Sequence, residues 1–422
     1  DGENLFAQAA HSTESSTKAK VELSPNREKG AMVMCVKNEE RFLAAHLLYH
    51  RSIGVDRAYI FLDECTDSTK EIVSRFHWVQ AIELEFEERP EHFVDLQRIC
   101  MDYALALSRR DGIDWLMTID PDEFAFGTEE VDEISNGRNG TARWSADLTS
   151  MLAKVSPQTE MVMLKTLELI PGSASKAAPF WEQTHFWNEC EILREIPHPK
   201  TGEMIPWQGF LGHSEGKGIV RTSAKVQAYD SHRWVPEQDC RYPDRPSFVP
   251  LPTEERGYHL HYVVTSPEHW LDKYRKLSIE PDHWPCGSEV EAPKQMWKES
   301  ASLLDLSEAD EYYHSWIGQS EEKLSRLEKS GQAISIPLVQ QVLLENDLIR
   351  KAEVRLPASE NFPSSETIDS LEDLLLDKET GLRNVVELGK VPARLLENAY
   401  PVEQLDGRLF RWLSTDSTIH LE

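Results

Sequence analysis

Four consecutive residues, Asp120-Pro121-Asp122-Glu123, set three carboxylates directly after an apolar run in this 422-residue chain. Pro121 fixes its own φ and offers no backbone donor, so it presents the two aspartates on a loop that joins no ladder. A hard divalent cation takes one or two carboxylates and completes its octahedron with water and substrate phosphates. Asp120 and Asp122 supply such a pair of metal ligands. Glu123 either orients them from behind or faces solvent. The same residue types also make ordinary Asx or capping turns, so the elements that deliver them decide between the two uses.

Those elements are legible. Trp115-Leu116-Met117-Thr118-Ile119 is an apolar run leading directly into Asp120, and Ala31–Val36 and Ala58–Leu62 are two more, as expected of parallel strands buried on both faces. Val79–Phe86 is a further strand. Between the strands, Phe42, Leu43, His46, Leu47 and His50 recur at helical spacing up to Gly54, with Asn38 as a candidate cap. Thr66–Thr69 opens a second helix through Phe76, and His92–Arg109 is a long amphipathic one. Such alternation predicts an α/β layer with right-handed crossovers and a mostly parallel sheet. Ligands of such sheets sit beyond the carboxyl ends of the strands, where Asn38-Glu39, Asp63 and Asp120–Asp122 all fall.

The remainder is less regular. Strands are expected at Met161–Leu169, Gly218–Thr222 and His259–Val264, and a helix over Pro267–Leu277. Charged helical segments follow near Ser320–Lys329, Pro337–Lys351, Ile368–Gly389 and Val391–Ala399. The expected organisation is a flexible leader (1–28), an α/β domain (29–288) and a helical C-terminal region (289–422).

Composition narrows the functions. The formal net charge of −28 opposes nonspecific nucleic-acid binding, which needs clustered Lys and Arg. Peripheral contact with a membrane through a local basic patch stays open. No apolar run approaches the ~20 residues of a transmembrane helix, and residues 1–20 lack the apolar stretch of a signal peptide. Cys35, Cys65, Cys100, Cys190, Cys240 and Cys286 stand singly, which reads as reduced thiols and a cytoplasmic chain.

Several linked motifs resemble a known family. Val36-Lys37-Asn38-Glu39-Glu40-Arg41-Phe42-Leu43 is followed by His50 and Gly54. Then come Asp63-Glu64-Cys65-Thr66-Asp67-Ser68-Thr69, Gln97, Trp115 and Ile119-Asp120-Pro121-Asp122-Glu123-Phe124. Gly216–Arg221 leading to His232, and His261-Tyr262 before a helix containing Lys273, extend the pattern. Residues 30–280 thereby resemble the family 92-like and family 2-like glycosyltransferases; the tail from Met296 does not. The resemblance implies a GT-A fold, a hexosyltransferase-type activity, and a nucleotide-sugar donor, UDP-linked, with Mn²⁺ or Mg²⁺. By position it puts Lys37, Asn38 and Glu39 at the nucleoside, Asp63 at the base, Asp120 at ribose or metal, and Asp122 at the cation as its main ligand.

A later histidine often joins the cation in this fold. His232 is the first choice and His261 the rival, and either can equally be a structural histidine. Lys217 and Arg221 alternate on one strand and are candidates for the diphosphate, or for an exposed strand face. A late Glu-Asp pair, the usual source of the acceptor base, is missing; Glu189, Glu191, His213 and Glu215 are the candidates, with Glu215 assigned the catalytic place. Trp181, Phe186, Trp187 and Trp207 are either a wall of the acceptor cleft or core. The acceptor is a saccharide, lipid or protein hydroxyl. The competing readings are a metal-dependent phosphohydrolase and a noncatalytic nucleotide-sugar-binding or scaffold protein.

Overall fold

The computed structural model describes residues 28–84, 90, 92–128, 144–145, 148–173, 179–188, 193–208, 210–237, 251–282, 292–301 and 303–345. In chain order its first strands and helices are β1 (Gly30–Val36), α1 (Glu40–Ser52), β2 (Val55–Asp63), α2 (Thr69–Ser74), β3 (Val79–Leu84), α3 (Phe93–Arg110) and β4 (Trp115–Thr118). Next come β5 (Glu123–Thr128), β6 (Trp144–Ser145), α4 (Leu148–Leu152) and β7 (Met161–Glu168). Short strands follow: β8 (His185–Trp187), β9 (Leu193–Pro197), β10 (Met204–Gln208), β11 (Lys217–Arg221), β12 (Val226–Ala228) and β13 (Trp234–Pro236). The chain then forms β14 (Thr253–His261), α5 (Pro267–Leu277), α6 (Ala292–Ala301), α7 (Leu306–Tyr312), α8 (Glu321–Lys329), β15 (Ala333–Ser335) and α9 (Leu338–Glu345).

Among the described residues, nine strands share one sheet in the order β3-β2-β1-β4-β11-β7-β14-β5-β6. The first four are mutually parallel, and β7 is parallel to β14; β11 and β5 run against their neighbours. The expected α/β class with a mostly parallel sheet is therefore what the chain forms. Apolar residues on both faces explain it. On one face Met32, Met34, Ile60 and Trp115 pack against Leu43 and Leu47 of α1. On the other Val33, Phe61 and Leu116 pack against Leu96, Cys100 and Leu107 of α3.

The topology forces this sheet to curl. Three strands separate β4 from β5, a span of about 19 Å if the sheet were flat at ~4.8 Å per strand. Yet only four residues join the two strands, and the Glu123 amide bonds back to the Asp120 carbonyl at 3.0 Å. The strands must therefore bend round until the ends of β4 and β14 approach each other. In register, His261 of β14 lies beside both Glu123 of β5 and Glu168 of β7. The C-ends of β4, β7 and β14 and the N-ends of β5 and β11 thus meet at one place.

Residues 292–345 pack on this layer. Trp297 of α6 and Ala309 of α7 share a core with Trp270 and Tyr274 of α5, and Val339 and Leu343 of α9 join the main core. The expected break at residue 288 lies outside the described residues, as do the helices expected at 368–389 and 391–399. The strand expected at His259–Val264 instead begins at Thr253 and ends at His261. Asn38 does not cap α1. It takes a left-handed φ of 57°, which asparagine tolerates, and its Oδ1 accepts from the Thr66 amide at 2.7 Å, tying β1's end to the loop after β2.

Candidate metal centre

The strand end predicted to hold the aspartates is charged throughout, and each carboxylate has a specific partner. Lys217, the first residue of β11 and fully buried, donates from Nζ to Asp120 Oδ2 at 2.6 Å and lies 3.3 Å from Glu123 Oε2. Gln97 of α3 donates to the other Asp120 oxygen at 3.1 Å. The Asp120 amide donates to Glu123 Oε2 at 2.9 Å, closing the turn from inside. Asp122 accepts from Lys273 of α5 at 2.9 Å and stands 3.5 Å from His261 Nε2.

Opposed effects set the protonation of these groups. Burial alone would raise Asp122, but Lys273 and His261 hold its carboxyl well below the usual carboxylate range. Burial would likewise raise Glu123, and Lys217, His259 and His213 hold it well below. Asp120 shares Lys217 with Glu123 and moves the other way: burial, with Glu123 and Asp122 close by, raises it. Lys217 stays cationic because Asp120 and Glu123 outweigh its burial.

Four histidines converge on the same spot. His259 and His261 are two apart on β14 and so share a face; His213 and His232 come from the loops before β11 and β13. His213 Nε2 is 3.0 Å from Glu123 Oε1, and His259 Nδ1 is 3.6 Å from the same oxygen. The rings of His213 and His261 are 4.8 Å apart. Burial lowers His259 to about 4 and pushes His213 and His232 well below the ordinary imidazole value. Glu168 fixes the loop that carries His213 by accepting from the Leu211 and Gly212 amides at 2.7 and 2.5 Å. Gly212 is required there: a Cβ would fall 2.5 Å from His261 Cε1 and 3.0 Å from Glu168 Oε2.

Among the described residues, one set of His, Cys, Asp and Glu side chains is close enough to hold a metal ion. It is Glu123, His213 and His261, with ligand atoms within 4.8 Å of one another. This departs from the expected set of Asp120, Asp122 and His232. Both aspartates are engaged by lysines, and His232 has its Nδ1 against the Gly216 carbonyl at 2.9 Å, although its ring lies 4.2 Å from that of His213.

The other predicted residues divide by location. Lys37, Asn38, Glu39 and Asp63 sit together at the ends of β1 and β2. Lys37 Nζ is 2.8 Å from Glu64 and 3.8 Å from the buried Asp63, and Lys276 donates to the Asn38 carbonyl at 3.0 Å. Burial raises Glu39 to about 8 against the pull of Lys276.

Arg221 is not brought to the site. β11 runs antiparallel to β4, so its far end carries Arg221 to Trp115, over whose ring it stacks at 4.0 Å, and to Glu28 at 3.0 Å. Glu215 is half exposed and pairs with Arg233 at 3.6 Å. Glu189 and Glu191 lie outside the described residues. Phe186, Trp187 and Trp207 are buried, as core rings are, whereas Trp181 is only partly buried and packs against the main core.

Sequence reasoning missed three things. Glu123, read as either orienting the aspartates from behind or facing solvent, opens β5, is fully buried and holds the Asp120 amide, but its place among the histidines carried no signal. His259 carried a signal, its spacing of two from His261 on a strand. Lys273 was visible only as part of the helix after His261.

No protein-family model matches the chain, and no curated protein matches it. Among solved structures, that of HddC from Yersinia pseudotuberculosis is similar over 56% of this chain and 93% of its own. The identity is 10% and the TM-score 0.27, too slight a likeness to carry fold or function across.

Proposed function

We propose that this chain is a GT-A-type glycosyltransferase, moving a sugar from a UDP-linked donor to an acceptor hydroxyl with the help of a divalent cation. The observation that carries the reading is the convergence on one sheet edge of Lys37–Glu39, Asp63, the Asp120–Glu123 turn, Lys217 and Lys273. The motif resemblance over residues 30–280, carried by the same residues, supports it.

The donor set fits a cation. The buried His261 has an Nδ1 without a hydrogen-bond partner, and two imidazoles with a carboxylate are ordinary ligands of divalent metals. Glu123, His213 and His261 would hold the ion, which when bound neutralises charge on the departing diphosphate. In the transfer, the bond from the anomeric carbon to the diphosphate oxygen breaks, with its electron pair leaving on the diphosphate. The acceptor oxygen takes its place and passes its proton to solvent water. Lys273 and Lys276, close together on α5 with side chains 25% and 31% exposed, are positioned to meet phosphate oxygens. Lys217 keeps the acidic turn ionised and fixed.

A thermal-shift screen of UDP and UDP-sugars tests the first step, because a ligand at 100 times its Kd stabilises the native state by about 2.7 kcal/mol. Stabilisation that needs the ion, followed by acceptor-dependent release of UDP, is the expected result. Asp122→Ala should abolish transfer in a folded protein; full transfer by that variant, or in excess chelator, would remove the proposal.

One observation favours a second reading. The imidazole clustering at Glu123 also suits a metal-dependent phosphohydrolase. Phosphate release without any acceptor would select it.

A further inference from the structure

We infer that the ion held at Glu123, His213 and His261 is a nitrogen-preferring transition metal, bound in the order zinc above manganese, with magnesium excluded. The inference concerns the cation of the transferase reading above, but it rests on ligand chemistry and is tested by metal binding alone.

Three observations lead to it. First, the aspartates suited to a hard ion are already spent. The Lys217 ammonium is wholly buried against Asp120, and Lys273 is bonded to Asp122, so an ion seated on those oxygens would have to displace two cations, whereas Glu123 meets Lys217 through Oε2 and turns Oε1 toward His213 and His259. Second, the unspent lone pairs nearby belong to nitrogen. His261 and His259 are at least nine-tenths buried, and in each the Nδ1 has no hydrogen-bond partner; the same holds for His213 Nδ1. Two of the rings have a neighbour outside the ligand set that fixes them: Asp122 Oδ2 at 3.5 Å for His261 and Thr166 Oγ1 at 2.8 Å for His259. Carboxylates and hydroxyls behind imidazoles are how proteins orient histidine ligands. Third, the spacing suits coordination. The 3.0 Å from His213 Nε2 to Glu123 Oε1 is close to the edge of a polyhedron whose metal–ligand bonds are about 2.1 Å.

Two imidazoles and one carboxylate favour zinc, iron or cobalt, and affinity rises from manganese toward zinc along the first row; magnesium prefers oxygen donors and holds its water. The site therefore differs in ligand type from the oxygen-rich Asp120/Asp122 arrangement.

The full-length chain, stripped with chelator and checked for folding by circular dichroism, is titrated with Zn²⁺, Co²⁺, Mn²⁺ and Mg²⁺ separately. Retained metal is then measured after desalting. About one zinc or cobalt per chain is expected, with cobalt giving a ligand-field spectrum that millimolar magnesium leaves unchanged. His213→Ala and His261→Gln each remove a direct ligand and should weaken cobalt binding by more than the about 10- to 100-fold that loss of an outer-shell partner costs, and His232→Ala should leave it within about threefold. Nitrogen hyperfine coupling in pulsed EPR of the copper-loaded wild type reports imidazole ligation without any variant.

Equal binding of zinc and magnesium, absence of nitrogen coupling, or loss of the ion in His232→Ala alone would overturn the inference. Retention of zinc in the His213→Ala, His261→Gln double variant would mean an adventitious ion and overturn it as well. A bound ion with no nucleotide binding would sink the transferase reading and leave this one standing.

Discussion

Replacing Lys217 with methionine isolates the interaction on which the whole strand end depends. Methionine fills most of the same volume, so the change removes charge more than packing. In the native chain the ammonium lies 2.6 Å from Asp120 and 3.3 Å from Glu123, with none of its side chain exposed. Breaking a buried pair by removing one partner typically costs about 3–5 kcal/mol, because a charge is left uncompensated. A second consideration caps the loss. Asp120, already raised by burial beside Glu123, can escape by taking up a proton. From an unfolded value near 3.9 that escape costs about 4 kcal/mol at pH 7 and about 2 kcal/mol at pH 5.5. The sign follows from the raised native value. The folded variant binds more protons than its unfolded state, so its deficit against the wild type is largest at pH 7 and shrinks toward acid.

Urea denaturation at both pH values, followed by circular dichroism and tryptophan fluorescence with coincident transitions as the two-state check, measures it. Adding Glu123→Gln should recover about 2 kcal/mol at pH 7, since removing both partners of a buried pair is milder than removing one. A Lys217→Met protein within about 1 kcal/mol of wild type at pH 7, or with a pH-independent deficit, would refute the reasoning.

Gly212→Ala should push His261 off its rotamer, costing about 1–3 kcal/mol of stability and at least tenfold in cobalt affinity; thermal denaturation and cobalt titration check the two. His46 is wholly buried in α1, with its ring against the Pro121 and Glu123 backbone and neither nitrogen in a well-formed hydrogen bond. Burial lowers it from 6.5 to about 4, so it contributes no pH penalty above 6.5 and progressively destabilises the fold as pH falls toward 4. About 2 kcal/mol should be gone by pH 5, and His46→Leu should flatten that part of the denaturation profile; identical slopes in both proteins would contradict it. Ser266 caps α5 by accepting from the His269 amide at 3.1 Å and also accepts from Arg41. Ser266→Ala should cost about 1 kcal/mol and, by loosening the helix that carries Lys273, weaken nucleotide binding in a calorimetric titration.

The first half of the fold was legible because its strands are buried on both faces. The apolar run Ala31–Val36 became β1 (Gly30–Val36), Trp115–Ile119 became β4 (Trp115–Thr118), and the period of His92–Arg109 became α3 (Phe93–Arg110). Later, Ser320 caps α8, where the sequence had put the helix start. The paired strands β8, β9, β10, β12, β13 and β15 were not legible, since three to five residues hold too little periodicity to register. At the site, the acidic turn was found, and Lys217, His213 and His261 were named as candidates for other roles or as rivals, but their meeting with Asp120, Asp122 and Glu123 was not foreseen.

The reason lies in the order of the strands. Lys217 and Asp120 are separated by 97 positions and meet only because β11 inserts antiparallel beside β4. That same direction of travel takes Arg221 away from the edge to which Lys217 is delivered, although the two alternate on one strand and look equivalent in sequence. Glu123 is a similar case. A residue just past a strand end ordinarily faces solvent, but here the sheet curls, and the short connection from β4 to β5 runs across the mouth of the curl. Its carboxylate is therefore sealed among Lys217, His213 and His259. Ligand identity at this edge is thus a property of curvature and strand direction, neither of which has a local sequence signal, whereas the position of the edge is written in the apolar runs that end there.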